Sequence, residues 1–372
     1  MSESPNLLYS RYIIDGEPKA VTPAFMLQEC SLTEELIPDG DFPVIADETA
    51  DPGPATFIFS EEKIQQYLSL FPFKRSFPLA FPGEYSSGKI AQALIDAIWM
   101  SGHFRLGDLS VKADWHWSSM GLGYPAAFYR SVEQSCQYMD QLGIKFSRYS
   151  LLKGGPSVSF KADTVAEEDA PEEEESLFRE LPYRTSNPKI SRRRKCPASL
   201  QPSSQDWIVY IPFDSCDYRL GGSALAEAVG ASPATPADVS DADYFIDCYE
   251  VVRELVEDGV VLAGCTVGDG GLLPALQSMC GGGTGADVYI GDICRAAAEE
   301  YSVRVLFAEV PGVLIQIADS DYDYVDAELL LQDVAFFPIG HPVPGRPRVQ
   351  LTGKTGIPDI LESLLNTLEG ED

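Results

Sequence analysis

The chain has 372 residues, with 27 Lys and Arg against 57 Asp and Glu, for a formal net charge of −30. That excess of negative charge excludes a nucleic-acid binder, and a polyphosphate would need a metal ion or a nest of amides to hold it. A hydrophobic fraction of 45% excludes a wholly disordered chain, and at about 100–200 residues per domain the length predicts two domains.

No run approaches the ~20 apolar residues of a membrane span, and charged residues recur through the first 30 positions. Neither a membrane segment nor a secretory leader is therefore expected, and the predicted location is cytoplasmic. The eight cysteines include no C-x-x-C pair, which predicts reduced thiols rather than a zinc ribbon or a disulfide scaffold.

Residues 1–55 read as irregular, with turn signals at Asp39-Gly40-Asp41 and Asp51-Pro52-Gly53-Pro54 around the apolar run Phe42–Ala46. Phe77–Phe81 reads as a strand. A turn follows, and then a helix over Lys89–Met100, where Ile90, Ala93, Leu94, Ala97 and Ile98 repeat at helical spacing. Leu109–Ala113 alternates as a strand, and 125–143 reads as a second helix with Phe128, Val132, Cys136 and Met139 on one face.

Residues 163–175 hold eight acidic residues and no basic one, and Arg192-Arg193-Arg194-Lys195 follows further on. Such blocks of like charge predict a solvated connection, the acids neutralising the basic cluster locally. The predicted domains are 1–161 and 178–358, with an acidic linker over 162–177 and an acidic tail over 359–372.

After the linker, strands are predicted at Trp207–Ile211, Val260–Ala263, Val303–Ala308, Val313–Ala318 and Ala335–Ile339. Helices are predicted at Ser223–Val229, Tyr244–Asp258, Leu272–Cys280 and 324–332. Mixed strands and helices with short connections indicate an α+β layered fold, sheets covered by helices.

Two glycine constellations join a strand to a helix: Arg219-Leu220-Gly221-Gly222-Ser223 and Val267-Gly268-Asp269-Gly270-Gly271. Glycine permits positive φ, and a helix N-terminus offers free amides to an anion. Such a junction is also a common tight turn, and the spacing matches neither a P-loop nor a dinucleotide fingerprint. Three scattered histidines assemble no Ser/His/Asp or Cys/His arrangement. Acids gather near the glycines instead, at Asp47, Glu48, Asp96, Asp108, Asp269 and Glu309, and carboxylates of that kind can hold a triphosphate through Mg²⁺.

The ordered run of Tyr218–Ala224, Val261–Gly264, Asp269–Leu273, Leu306–Glu309 and Pro311–Gln316 resembles the second half of the large phosphoribosylformylglycinamidine synthases. Weaker similarity covers 43–161, through Gln92–Asp96, Leu106–Leu109, Ala113–Trp115 and Ala127–Tyr129. The resemblance implies a two-domain aminoimidazole-ribonucleotide-synthetase-like fold, an N-terminal β-rich dimerising domain beside a C-terminal α/β domain. It also implies a homodimer, bound ATP or ADP with Mg²⁺, and a glutaminase or synthase partner subunit that supplies ammonia.

Site residues carried over by the resemblance are Asp47, Gln92, Asp96 and Thr266 for the metal. For the nucleotide they are Lys153, Gly154, Gly155, Ser157, Gly221, Gly222, Ser223, Gly268, Asp269, Gly270 and Gly271. Several depart from the family pattern. Gln92 stands for a Glu, Asp96 for an Asn, Thr266 for the metal-binding Asp and Gly268 for a Ser, while Lys153 is displaced towards its turn. Each lost charge-assisted contact removes roughly 1.5–3 kcal/mol. Three readings stay open: ATP-dependent amidation of formylglycinamide ribonucleotide, a non-catalytic scaffold with a vestigial nucleotide site, and an ATP-using relative with another substrate.

Overall fold

The computed structural model describes residues 6–33, 42–54, 60–102, 104–164 and 193–352. The expected turn at Asp39–Asp41, the acidic run beyond Thr164, Arg192 and the tail over 359–372 lie outside them.

In chain order the elements begin with β1 (Arg11–Ile14), β2 (Glu17–Pro18), α1 (Pro23–Glu29), β3 (Val44–Asp47) and α2 (Glu61–Ser69). Then come α3 (Pro82–Ile98), β4 (Leu109–Trp117), α4 (Tyr124–Gln141), β5 (Phe146–Lys153) and β6 (Ser157–Thr164). The later half holds β7 (Trp207–Pro212), α5 (Ala224–Val229), α6 (Ala242–Glu257), β8 (Val261–Val267), α7 (Leu272–Met279) and β9 (Thr284–Val288). It closes with α8 (Gly291–Ala296), α9 (Ser302–Phe307), β10 (Gly312–Ile317), α10 (Tyr322–Leu331), β11 (Phe337–Pro344) and β12 (Val349–Leu351).

Among the described residues three sheets form, ordered β2-β1-β3, β5-β4-β6 and β12-β9-β11-β7-β10-β8. β4 runs parallel to β5, with α4 as the crossover, and antiparallel to β6. Its alternating burial leaves Lys112, Asp114 and His116 on the outer face while Trp115 and Trp117 enter the core. In the six-stranded sheet β10 pairs antiparallel with both β7 and β8 and is buried from end to end, because helices cover both faces. The larger apolar cluster draws on both halves of the chain, packing Trp99, Trp115 and Phe128 with Phe213, Phe245 and Val313. The mixed α/β layering matches the expected fold class.

Two expected strands are corrected. Phe77–Phe81 is a loop that delivers the chain to α3. Pro78 and Pro82 cannot donate to a ladder, and Phe77 is buried edge-on to Tyr85 and Trp117 instead. Val303–Ala308 is the helix α9, whose Val303, Val305, Leu306 and Phe307 are all buried, with α9 packed on α7. A short apolar run buried on all sides has no periodicity to tell helix from strand.

α3 starts at Pro82, well before the expected Lys89, since Gly83, Ser86, Ser87 and Gly88 are helical and buried. Their small size brings α3 close to α4, where the Ser86 and Ser131 hydroxyls lie 2.7 Å apart. The basic cluster is built into the fold at the other end of α3. Lys195 pairs with Glu257, and Arg194 donates to the Gly264 carbonyl at 2.6 Å while its guanidinium lies 5.5 Å from the Trp99 ring centroid. Cations at a helix C-terminus oppose its partial negative charge.

Candidate functional site

The N-terminal half of α3, the loop before it, the glycine turn that starts α5 and the segment Pro236–Val239 line an open cleft. Arg75, Tyr85, Lys89, Gln92, Gly222 and Glu309 are among its walls.

Its centre is an ion-pair network. Glu309 is only 13% exposed at its side chain and Arg75 only 8%. One Arg75 nitrogen donates to Glu309 at 2.5 Å and to the Gly222 carbonyl at 2.9 Å, and the other reaches Asp269 at 3.4 Å. Lys89 pairs with the second oxygen of Asp269, and the Arg75 guanidinium lies 4.5 Å from the Tyr85 ring centroid. Burial alone pulls the Arg75 pKa down, but Glu309, the Tyr85 hydroxyl and Asp269 outweigh it and leave it above its ordinary value.

The free oxygen of Glu309 accepts the amide of Ala224 at 3.1 Å and that of Gly270 at 2.9 Å. One side chain thereby ties the starts of α5 and α7 together. Other amides of the two turns also have acceptors within the chain. Gly221 donates to the Thr235 carbonyl, Ser223 to that of Leu220, and Gly271 to that of Gly268. The Ser223 hydroxyl accepts the amide of Ala226 as the N-cap of α5.

Around the middle and end of α3 sits a second set. The indole of Trp99 donates to the Thr266 hydroxyl at 2.9 Å, and Thr266 donates to Asp96. Gln92 fills the space beside Gly268, where a Cβ would come within 2.4 Å of its amide carbon. Asp96 opens to solvent on one side while protein crowds its carboxyl on the others. Lost hydration lifts its pKa above the ordinary carboxylate value of 3.8, against the opposing Thr266 hydrogen bond and the Arg194 and Lys89 charges. A carboxyl with a raised folded-state pKa holds its proton more tightly when folded. Its contribution to stability is therefore full below pH 3.8 and lost as pH rises through the folded value. A carbon-detected NMR titration should find Asp96 titrating above a surface Asp, and higher still in a Thr266→Val chain, where the opposing hydrogen bond is gone.

The structure thus gathers Gln92, Asp96, Thr266, Gly268, Asp269, Gly270, Gly271, Gly221, Gly222 and Ser223 around α3. Asp47 serves elsewhere. Its two oxygens accept the amides of Gly123 at 3.1 Å and Ala126 at 3.0 Å, capping α4. Lys153, Gly154, Gly155 and Ser157 form the β5–β6 connection, where Gly154 donates to the Trp117 carbonyl at 3.2 Å and Ser157 pairs with His116. None of these four lines the cleft. Among the described residues no group of three His, Cys, Asp or Glu side chains could hold a metal ion, and no helix is long and apolar enough to cross a membrane.

Sequence reasoning missed Arg75 and Lys89, the two cations of the network. The only trace of Arg75 was its place in an aromatic-rich stretch, Phe71–Phe77; Lys89 lay on the polar side of a predicted helix.

Residues 206–350 match the family model described as AIR synthase related protein, C-terminal domain. Phosphoribosylformylglycinamidine synthase of Drosophila melanogaster is 25% identical over 277 residues, 72% of this chain and 20% of that protein. The Homo sapiens enzyme is 28% identical over 121 residues, 32% of this chain and 9% of that protein. The chain therefore spans about a fifth or less of the length of these curated relatives. Among solved structures, Thermotoga maritima PurL complexed with FGAR superposes with a TM-score of 0.54 at 12% identity, over 78% of this chain and 45% of that one. That likeness concerns the fold. With the matched domain, the shared sequence and the layered architecture in agreement, the chain has an AIR-synthase-related fold homologous to the phosphoribosylformylglycinamidine synthases.

Proposed function

We propose that the chain is an accessory unit of phosphoribosylformylglycinamidine synthase type in purine biosynthesis, corresponding to the second synthetase-like half of that family and turning over no substrate itself. Glu309 is the observation that carries this reading. It stands where an anionic ligand would take the turn amides, and it is already neutralised by Arg75.

The donor set supports the same reading. Of the residues expected to hold Mg²⁺, Thr266 and Gln92 are neutral, Asp47 is committed to α4, and Asp96 is bonded by Thr266. Octahedral Mg²⁺ needs oxygen donors converging with negative charge, and these residues do not fit it. Lys89 and Arg75 instead satisfy Asp269, the acid left in the turn. Phosphoryl transfer rests on positioning and charge neutralisation, and no step of it is assigned to these residues.

In this reading the domains are 1–161 and 178–358, joined by the acidic segment, and the unit is cytoplasmic and dimeric. It contributes structure to a synthase or glutaminase partner. The test is turnover by the full chain with formylglycinamide ribonucleotide, ammonia and Mg·ATP. No amidine product and no ammonia-dependent ATP hydrolysis is the expected outcome, and product formation overturns the proposal.

A further inference from the structure

The strand register of the β5-β4-β6 sheet sets three cations abreast on its outer face. Lys112 of β4 stands directly opposite Arg148 of β5 on one side and Lys161 of β6 on the other. Adjacent strands lie about 4.8 Å apart, so the row spans about 10 Å. Like charges placed opposite one another across a sheet are unfavourable. The two acids beside the row are already engaged. Asp114 accepts the Ser150 hydroxyl at 2.6 Å and pairs with Lys112 at 3.3 Å, and Asp163 accepts the Thr164 amide at 2.9 Å. Arg148 and Lys161 are exposed, and among the described residues neither has a carboxylate partner. In a chain of net charge −30, such a row is an exception.

Apolar groups lie uncovered where β4 ends. Leu152 of β5 is exposed opposite His116, about 13 Å along the strand from Lys112. The loop that follows Trp117 carries Met120 and Leu122, which are 80% and 86% exposed. The Gly154 amide donates to the Trp117 carbonyl, which holds this loop beside the β5–β6 turn. The sheet therefore has a cationic row at one end and an apolar tip at the other.

We propose that this face docks an acidic segment of a partner protein, its carboxylates on Arg148, Lys112 and Lys161 and its apolar end on Leu152, Met120 and Leu122. Charge complementarity carries the choice of occupant. A nucleic acid would meet the acidic remainder of the surface along its length, and it has no apolar side chains for the tip. A short run of glutamates or aspartates meets only the row. A second copy of this chain brings the same three cations to the contact and relieves nothing. None of these residues lines the cleft or belongs to the Arg75–Glu309 network, so the surface stands apart from the proposed function.

The probe is a fluorescein-labelled synthetic peptide, a run of glutamates followed by leucines, titrated into the full chain and followed by anisotropy. Saturable binding is expected, weakening as salt shortens the screening length to about 8 Å at 0.15 M. Exchanging the glutamates for glutamines should weaken it about tenfold, and exchanging the leucines for serines about fivefold. Arg148→Ala with Lys161→Ala should cost about fivefold in affinity, while the chain melts as the wild type does because both side chains are exposed. The glutamine peptide decides the matter on wild-type protein even where that variant fails to fold. Absence of saturable binding, equal affinity for the glutamate and glutamine peptides, or a DNA duplex bound as tightly overturns the proposal. Self-association that the same two substitutions abolish also overturns it. So does binding that appears only once Glu172–Glu175 are changed to serine, which gives the face to the chain's own acidic run.

Discussion

Replacing Glu309 by alanine is expected to lower folding stability by about 3–5 kcal/mol, the cost of stripping the partner from a buried charge. Arg75 is only 8% exposed, so its guanidinium would keep the desolvation penalty and lose its main counter-ion. The same change orphans the amides of Ala224 and Gly270, which begin two helices. Glu309→Gln separates these contributions. It keeps an oxygen for the amides and removes only the charge, so its loss should be the smaller of the two. A double replacement, Arg75→Met with Glu309→Leu, should recover part of the deficit, because neither half then leaves an unpaired buried ion. Equilibrium denaturation of the variants checks the order, and equal stability of wild type and Glu309→Ala would show that the pair contributes nothing.

Gly271→Ala should cost about 2–4 kcal/mol, combining backbone strain with a steric overlap. Gly271 has φ +84° and ψ −163°, a conformation open in practice to glycine alone. A Cβ there would also stand 2.7 Å from the backbone of Phe307 and 2.8 Å from the Ala308 carbonyl oxygen, atoms that cannot rotate away. Gly259 supplies the contrast. Its φ is +75°, but nothing lies within 4 Å of the position a Cβ would take, so Gly259→Ala should cost about 1 kcal/mol from conformation alone. If the two variants melt together, steric closure of the α7 turn against α9 is not what demands glycine there.

The contrast between these two glycines also marks what could be read without a structure. α4, α6, β7 and β10 were legible because their apolar spacing is long or their strands almost wholly buried. α9 was not, since two valines, a leucine and a phenylalanine around one arginine satisfy a buried strand equally well. α3 showed its C-terminal half plainly, but its first turns are glycine and serine, chosen for close approach to α4 rather than for helix propensity.

At the site, the glycine turns announced themselves, whereas what fills them did not. Arg75 and Glu309 are 234 residues apart, and no local pattern couples a cation in one loop to a carboxylate after a distant helix. Asp47 shows the converse. The resemblance alone made it a metal ligand, and its two oxygens accept amides at the start of α4, a use that depends on where β3 ends in space.

In the proposed function the chain's own Glu309, Arg75 and Lys89 satisfy one another across the cleft, leaving no site for a magnesium-bound triphosphate. The most direct measurement is the unfolding free energy of the full chain titrated with Mg·ATP into the millimolar range. No saturable change is predicted. A ligand at 100 times its Kd stabilises by about 2.7 kcal/mol, and a saturable rise of that size would contradict the claim.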